Sequence, residues 1–202
     1  MTIKTCFFDM GNVLVHFSHQ RMCRNIAALV GRSEDIVKQH LLDSGLQWSI
    51  ERGEITEADF HAALETRFEI RIDSDQLMHA AADIFWLNES IVPLIDELKS
   101  GGMRLVLLSN TSITHLKFIR TNFDILNDFD AFTTSYEAGA LKPDQAIYLN
   151  ALSKANCAPA ECFYTDDIPA YVAAARTHGI HAEVYSETHH TREALRLLGV
   201  RV

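Results

Sequence analysis

Residues 3–14 read Ile3-Lys4-Thr5-Cys6-Phe7-Phe8-Asp9-Met10-Gly11-Asn12-Val13-Leu14, and this stretch decides the fold. Ile3 to Phe8 predicts a strand, and Asp9 ends it abruptly. Gly11-Asn12 is a turn signal, since both residue types accept backbone shapes that others avoid.

Working outward, the same design recurs. Arg104-Leu105-Val106-Leu107-Leu108 is a short continuous apolar run of the kind found in a parallel strand buried on both faces. Further strands are predicted near Phe132-Thr133-Thr134, at Cys162-Phe163-Tyr164-Thr165 and from His181 to Tyr185. Helical patterns separate them. One carries Ile91, Leu94, Ile95 and Leu98 and stops at Gly101-Gly102. Others start near Ile113, run from about Asp144 to Lys154, from Pro169 to about His178, and from about Thr191 to Leu198. Strand and helix alternate at the start and over 89–202, which predicts an open parallel α/β sheet with right-handed crossovers.

From about His19 to Trp86 the pattern is helical throughout. Ser33 precedes Glu34-Asp35 as an N-cap, and Thr56 with Asp59 resembles a capping box. Ser74 opens a helix with Leu77, Ala81, Ile84 and Phe85 on one face. The block reads as an inserted helical domain. The expected division is a core of 1–17 and 88–202, with the insert at 18–87.

The 202 residues allow one large core with a smaller insert. A formal net charge of -9 disfavours a nucleic-acid backbone or an anionic membrane surface as partner. An anionic substrate therefore needs local help from a metal, a lysine or a helix N-terminus. The four cysteines, Cys6, Cys23, Cys157 and Cys162, form no CxxC pair and read as buried free thiols in a reducing compartment. His189-His190 reads as solvated surface. No segment approaches a membrane span and no secretion signal opens the chain, so the expected location is cytoplasmic.

In open α/β sheets, ligands bind beyond the carboxyl ends of the strands. The first strand ends in Asp9, the second in Ser109-Asn110-Thr111, and the fourth in Thr165-Asp166-Asp167. Lys142-Pro143 is expected to open a helix after the short third strand. Each alone is an ordinary cap, turn or surface residue. Adjacent carboxylates repel, however, and Asp166-Asp167 asks for a cation or capping hydrogen bonds. Together these residues put a nucleophile, a hydroxyl donor, a positive charge and metal carboxylates at one edge of the sheet.

The order Phe8-Asp9-Met10-Gly11-Asn12-Val13-Leu14, Leu108-Ser109-Asn110, Lys142-Pro143, Tyr164-Thr165-Asp166-Asp167 resembles the four motifs of the haloacid-dehalogenase (HAD) superfamily. Ala173-Ala174-Ala175-Arg176-Thr177-His178-Gly179-Ile180 resembles the superfamily's segment just downstream of the fourth motif, and the helical insert resembles a type-1 cap. Gly11-Asn12 and the cap stretch Arg52-Gly53-Glu54-Ile55-Thr56 are similar to the bacterial sugar-phosphatase branch that includes α-glucose-1-phosphate phosphatases. The resemblance implies a Rossmann-like core and a Mg²⁺-dependent phosphatase acting on a small phosphorylated metabolite. Asp9 would attack phosphorus and form an aspartyl-phosphate. Ser109, Asn110 and Lys142 would bind the phosphate. Asp9, the Gly11 carbonyl, Asp166 and Asp167 would hold the ion.

One position departs from that pattern. Most superfamily phosphatases carry a second Asp two residues after the nucleophile, and here Gly11 stands there. A positioned proton donor is worth about 10²–10⁴ in rate. Its loss predicts a steep preference for esters whose leaving group departs without protonation, such as a sugar 1-phosphate. His16 is one candidate replacement. Trp48, Glu51 and Arg52 are candidates for the cap's site-facing surface, although Trp48 could equally be bundle core. Three other readings stay open: a metal-independent dehalogenase, a non-catalytic ligand- or protein-binding module, and a phosphomutase.

Overall fold

The computed structural model describes residues 2–202. β1 (Thr5–Phe8) leads through a turn to β2 (Val15–Phe17). Five helices follow: α1 (His19–Val30), α2 (Glu34–Lys38), α3 (Leu46–Glu51), α4 (Glu57–Phe68) and α5 (Ser74–Ala82). β3 (Phe85–Leu87) brings the chain back. The rest alternates: α6 (Val92–Ser100), β4 (Arg104–Ser109), α7 (Ile113–Asn122), β5 (Ala131–Thr134), α8 (Ser135–Ala138), α9 (Gln145–Ser153), β6 (Cys162–Asp166), α10 (Pro169–Thr177), β7 (His181–Val184) and α11 (Thr188–Leu197).

Five strands form one parallel sheet in the order β5-β4-β1-β6-β7. Side chains alternate across it. Phe8, Leu105, Leu107 and Phe163 pack into one apolar layer, and Phe7, Val106, Leu108 and Tyr164 into the other. This is why β1 and β4 read as unbroken apolar runs rather than as alternation. The chain leaves β1 toward β4 and β5, then crosses to β6 and β7 on the opposite side. The switch point lies at the carboxyl end of β1, the position where open α/β sheets take their ligands.

The helical block departs from expectation at its borders. α5 stops at Ala82, and Phe85–Leu87 is a strand. It pairs antiparallel with β2 in the register Val15↔Leu87, His16↔Trp86 and Phe17↔Phe85. The stretch up to Trp86 is therefore not helical throughout, and Phe85 lies on a ribbon rather than on the α5 face. A strand of three residues is too short for its period to stand out. A π-helical turn at Gln39–Asp43 also interrupts the helices. Local capping agrees with the sequence. Ser33 Oγ accepts from Ile36 N, and Thr56 with Asp59 forms a reciprocal capping box.

Lys142-Pro143 does not open a helix. α9 starts at Gln145 with Asp144 as its N-cap, and Lys142 sits in the preceding loop. The four cysteines are free, but Cys157 is only half-buried. His189 and His190 are exposed. Among the described residues, no helix is long and apolar enough to cross a membrane.

Candidate active site

Parallel register brings the strand ends level. Phe8 lies opposite Leu107 on β4 and Thr165 on β6, so Asp9 comes level with Leu108 and Asp166. Asp9 N still donates to Thr165 O at 3.1 Å, which extends the ladder to the reactive position. The chain then turns sharply. Leu14 N and Val15 N both donate to Met10 O at 3.0 Å, and Asn12 takes a left-handed φ of 55°. Asn tolerates that region better than most residues. The Gly11 carbonyl accepts none of the bonds that fix the turn.

Asp9 is 6% exposed. Its Oδ1 accepts from Met10 N at 2.7 Å and from Lys142 Nζ at 2.8 Å. Among the described residues, no protein group bonds Oδ2. Lys142 is the centre of the cluster. Its Nζ also donates to Asp166 Oδ2 at 2.6 Å, to Leu108 O at 3.1 Å and to Tyr164 OH at 3.2 Å. Asn110 places it: Oδ1 accepts from Lys142 N at 2.7 Å and Nδ2 donates to Lys142 O at 3.2 Å. Much of Asn110's bonding capacity therefore goes to holding the lysine backbone. Ser109 is buried, and its Oγ makes only a long 3.4 Å contact to Asn110 O.

Asp166 is fully buried and collects three donors: Lys142 Nζ, Tyr164 OH and Ile168 N. Asp167 is half-buried, and its Oδ2 accepts from Asn12 Nδ2 at 2.9 Å. Asp9, Asp166 and Asp167 can each offer a carboxylate oxygen, all within 4.8 Å of one another. Three carboxylates face one ammonium, which leaves a negative excess in a buried site. Burial pushes the Asp9 carboxyl well above its usual range, and Lys142 offsets this only in part. Burial pulls the Lys142 ammonium down, but Asp9 and then Asp166 more than restore it, so its pKa is raised. An all-oxygen donor set with surplus negative charge fits a hard divalent cation such as Mg²⁺.

Above this edge lies a cavity of about 400 Å³. The core contributes Asp9, Ser109, Lys142, Asp167 and Tyr171 to its floor. The β2–β3 ribbon and the helical insert contribute Phe17, His19, Trp48, Glu51 and Phe85. Trp48 is 40% exposed, so it is a cavity wall and not bundle core. Arg52 is elsewhere, paired with Glu54 at 3.1 Å. His16 stacks near Trp86 and lines a neighbouring cleft with Asn88 and Tyr185, not this cavity.

Position 11 is crowded as well as empty of a carboxylate. A Cβ on Gly11 would meet the Phe17 ring at 2.8 Å. Phe17, Gln47 and Ser135 carry no motif that marks them in the sequence. Phe17 looks like an ordinary apolar residue. Gln47 stands four residues before Glu51, a helical spacing that puts the two side chains together.

A model of the haloacid dehalogenase-like hydrolases matches residues 3–179. The chain belongs to this family. Among curated relatives, protein CbbY of Rhodobacter capsulatus is 28% identical over 145 residues, covering 67% of this chain. The match spans only 57% of that relative's length. A HAD-like family hydrolase of Porphyromonas gingivalis superposes with a TM-score of 0.82 at 25% identity, over 100% of both chains. A HAD family enzyme of Bacteroides thetaiotaomicron gives 0.81 at 25% identity, over 93% of this chain and 95% of that one. Both agree with the five-stranded parallel sheet and helical insert described above.

Proposed function

We propose that this HAD hydrolase is a Mg²⁺-dependent phosphomonoesterase that works through an aspartyl-phosphate on Asp9, with a small sugar phosphate such as glucose 1-phosphate as substrate. One observation carries the reading. Among the described residues no protein group bonds Asp9 Oδ2, on the floor of a cavity, while Oδ1 is pinned by Met10 N and Lys142 Nζ. A carboxylate held by one oxygen presents the other as a nucleophile.

Asp9 Oδ2 attacks phosphorus, and the bond to the leaving oxygen breaks. Lys142 offsets the charge between Asp9 and the phosphoryl group. Ser109 Oγ, only loosely bonded within the protein, turns to a phosphoryl oxygen. Asn110 keeps Lys142 in place through both of its backbone polar groups. A magnesium ion held by Asp9, Asp166, Asp167 and the Gly11 carbonyl would, when bound, neutralise the repulsion between a carboxylate and a phosphate dianion. Water then attacks the aspartyl-phosphate and regenerates Asp9.

The HAD enzyme of Bacteroides thetaiotaomicron has been solved with magnesium and inorganic phosphate, which supports the phosphatase reading. The sugar-phosphate assignment rests on Gly11-Asn12, on Arg52 to Thr56, and on a cavity sized for a small ring. Aromatic walls at Phe17, Trp48 and Phe85 can pack against the C–H face of such a ring. A metal-independent dehalogenase would have no use for three carboxylate oxygens gathered within 4.8 Å of one another.

The test is a phosphate-release screen over sugar phosphates, nucleotides and p-nitrophenyl phosphate, with and without Mg²⁺, alongside Asp9→Asn. Activity should require the ion, and the variant should lose at least about 10⁴-fold in kcat. Full activity in the variant, or in the presence of a chelator, defeats the reading.

A further inference from the structure

We propose that Glu51, carried by the helical insert, is the proton donor and acceptor that position 11 cannot supply. The proposal rests on the phosphomonoesterase reading above and adds a residue to it.

Four observations converge. First, the usual location is crowded: a Cβ at residue 11 would stand 2.8 Å from the ring of Phe17, which sits on the ribbon that joins core and insert, so a side chain there requires that ring to move. Second, Glu51 lines the same cavity as Asp9, from the helical insert, and is 6% exposed. Third, its orientation is set. Gln47 Nε2 donates to Glu51 Oε1 at 2.9 Å, and among the described residues no protein group bonds Oε2. A donated bond marks Oε1 as the acceptor, so the carboxylic proton belongs on Oε2. Fourth, the last turn of α3 is fastened to the core. Ser135 Oγ donates to Glu51 O at 2.5 Å and accepts from Thr111 N at 2.9 Å, beside the Ser109-Asn110 phosphate edge. Gly53 helps: a Cβ there would stand 2.5 Å from Tyr136 O, so only glycine permits this approach.

The other titratable groups facing the cavity fit the task less well. Asp9 is the nucleophile, and Lys142 is committed to two carboxylates. Burial pulls both His19 and His115 below their usual range, so at neutral pH they carry no proton to give from an imidazolium. Burial pushes Tyr171 up. Asp167 bonds Asn12. Burial pushes Glu51 up to about 7, with Gln47 opposing and Asp9 adding to the rise. An acid with that value is near the optimum for proton transfer at neutral pH.

The chemistry balances in two steps. Asp9 Oδ2 forms a bond to phosphorus while the bond from phosphorus to the leaving oxygen breaks. The Glu51 proton passes to that oxygen, giving a neutral alcohol and a Glu51 carboxylate. Water then attacks phosphorus, its proton returns to Glu51, and the Asp9–phosphorus bond breaks to release phosphate.

The experiment compares kcat/KM for an alkyl or sugar phosphate with that for p-nitrophenyl phosphate, in wild type and in Glu51→Gln, with Mg²⁺ present. The nitrophenolate leaves without help, and kcat/KM reports the first phosphoryl transfer. The alkyl ester should lose about 10²–10⁴-fold and the aryl ester less than about tenfold. The wild type should show a basic-limb pKa near 7 with the alkyl ester that the variant lacks. Equal losses on both esters, or no loss on either, overturn the proposal while wild-type turnover of p-nitrophenyl phosphate keeps the phosphatase reading standing. A wild type that releases no phosphate from any ester overturns both. Should the Gln variant not fold, Glu51→Asp keeps the acid, shortens its reach, and reads the same ratio.

Discussion

The sheet edge and the face of the insert above it both bury carboxyl groups, but they treat them in opposite ways. At the edge, Asp166 is surrounded by an ammonium, a phenol and a backbone N–H, and Asp9 shares that ammonium. On the insert, Glu51 has one neutral side-chain partner, Gln47, and no cation. A buried carboxyl with charged donors can persist as an anion, whereas one without them holds its proton. The same functional group thus sits beside a shared ammonium on one side of the cavity and beside a neutral amide on the other. The difference lies in the neighbours each element brings.

The contrast breaks most visibly at Lys142. Replacing it with Met leaves Asp9 and Asp166 buried without their shared cation. Removing one partner of a buried ion pair costs about 3–5 kcal/mol. Urea titration of Lys142→Met should show a loss of that size, and an unchanged midpoint would mean the edge does not depend on compensation. A smaller effect comes from adding the cation that the edge is short of. Mg²⁺ at about 100 times its Kd should stabilise the wild type by about 2.7 kcal/mol, read as a rise in Tm. Asp167→Ala should weaken that rise.

The smallest effect sharpens the other wall. The folded-state pKa of Glu51 is raised above the unfolded value near 4.5, to about 7. Its contribution to stability is fully present below the unfolded value and is lost as pH rises through 7. At pH 8 the wild type carries the cost of a buried anion that Glu51→Gln avoids. The variant should therefore be more stable at pH 8 by about 1–3 kcal/mol, with the gap closing toward pH 4. Thermal melts at the two pH values measure this, and a gap that does not change with pH would place Glu51 in a polar setting.

The floor of the site was legible in the sequence and its roof was not. Asp9, Ser109 and Asp166 could be read because each comes at the end of an apolar run, and parallel register brings such ends together. Lys142 needed its neighbours as well, since the expected helix there is a loop. The roof depends on long-range packing. β2 and β3 are each three residues long and about seventy residues apart, so neither carries a period that sequence alone can reveal. Glu51 faces the cavity as its residue type and flanks allowed, but nothing in the chain foretold its burial, because glutamates are almost never fully buried. His16 lies on the β2–β3 ribbon, as an ordinary strand residue at the hinge would. Alternation on a strand turns it away from the cavity that its neighbour Phe17 lines.

Ser135 has a hydroxyl that touches both halves of the molecule, accepting from Thr111 N and donating to Glu51 O. Both chain crossings between core and insert run together in the β2–β3 ribbon. A body attached along one margin and clasped at the other has one simple way to part. On the role proposed for Glu51, any parting of that clasp would take the acid away from the reactive carboxylate, so proton supply would belong to the fastened arrangement alone.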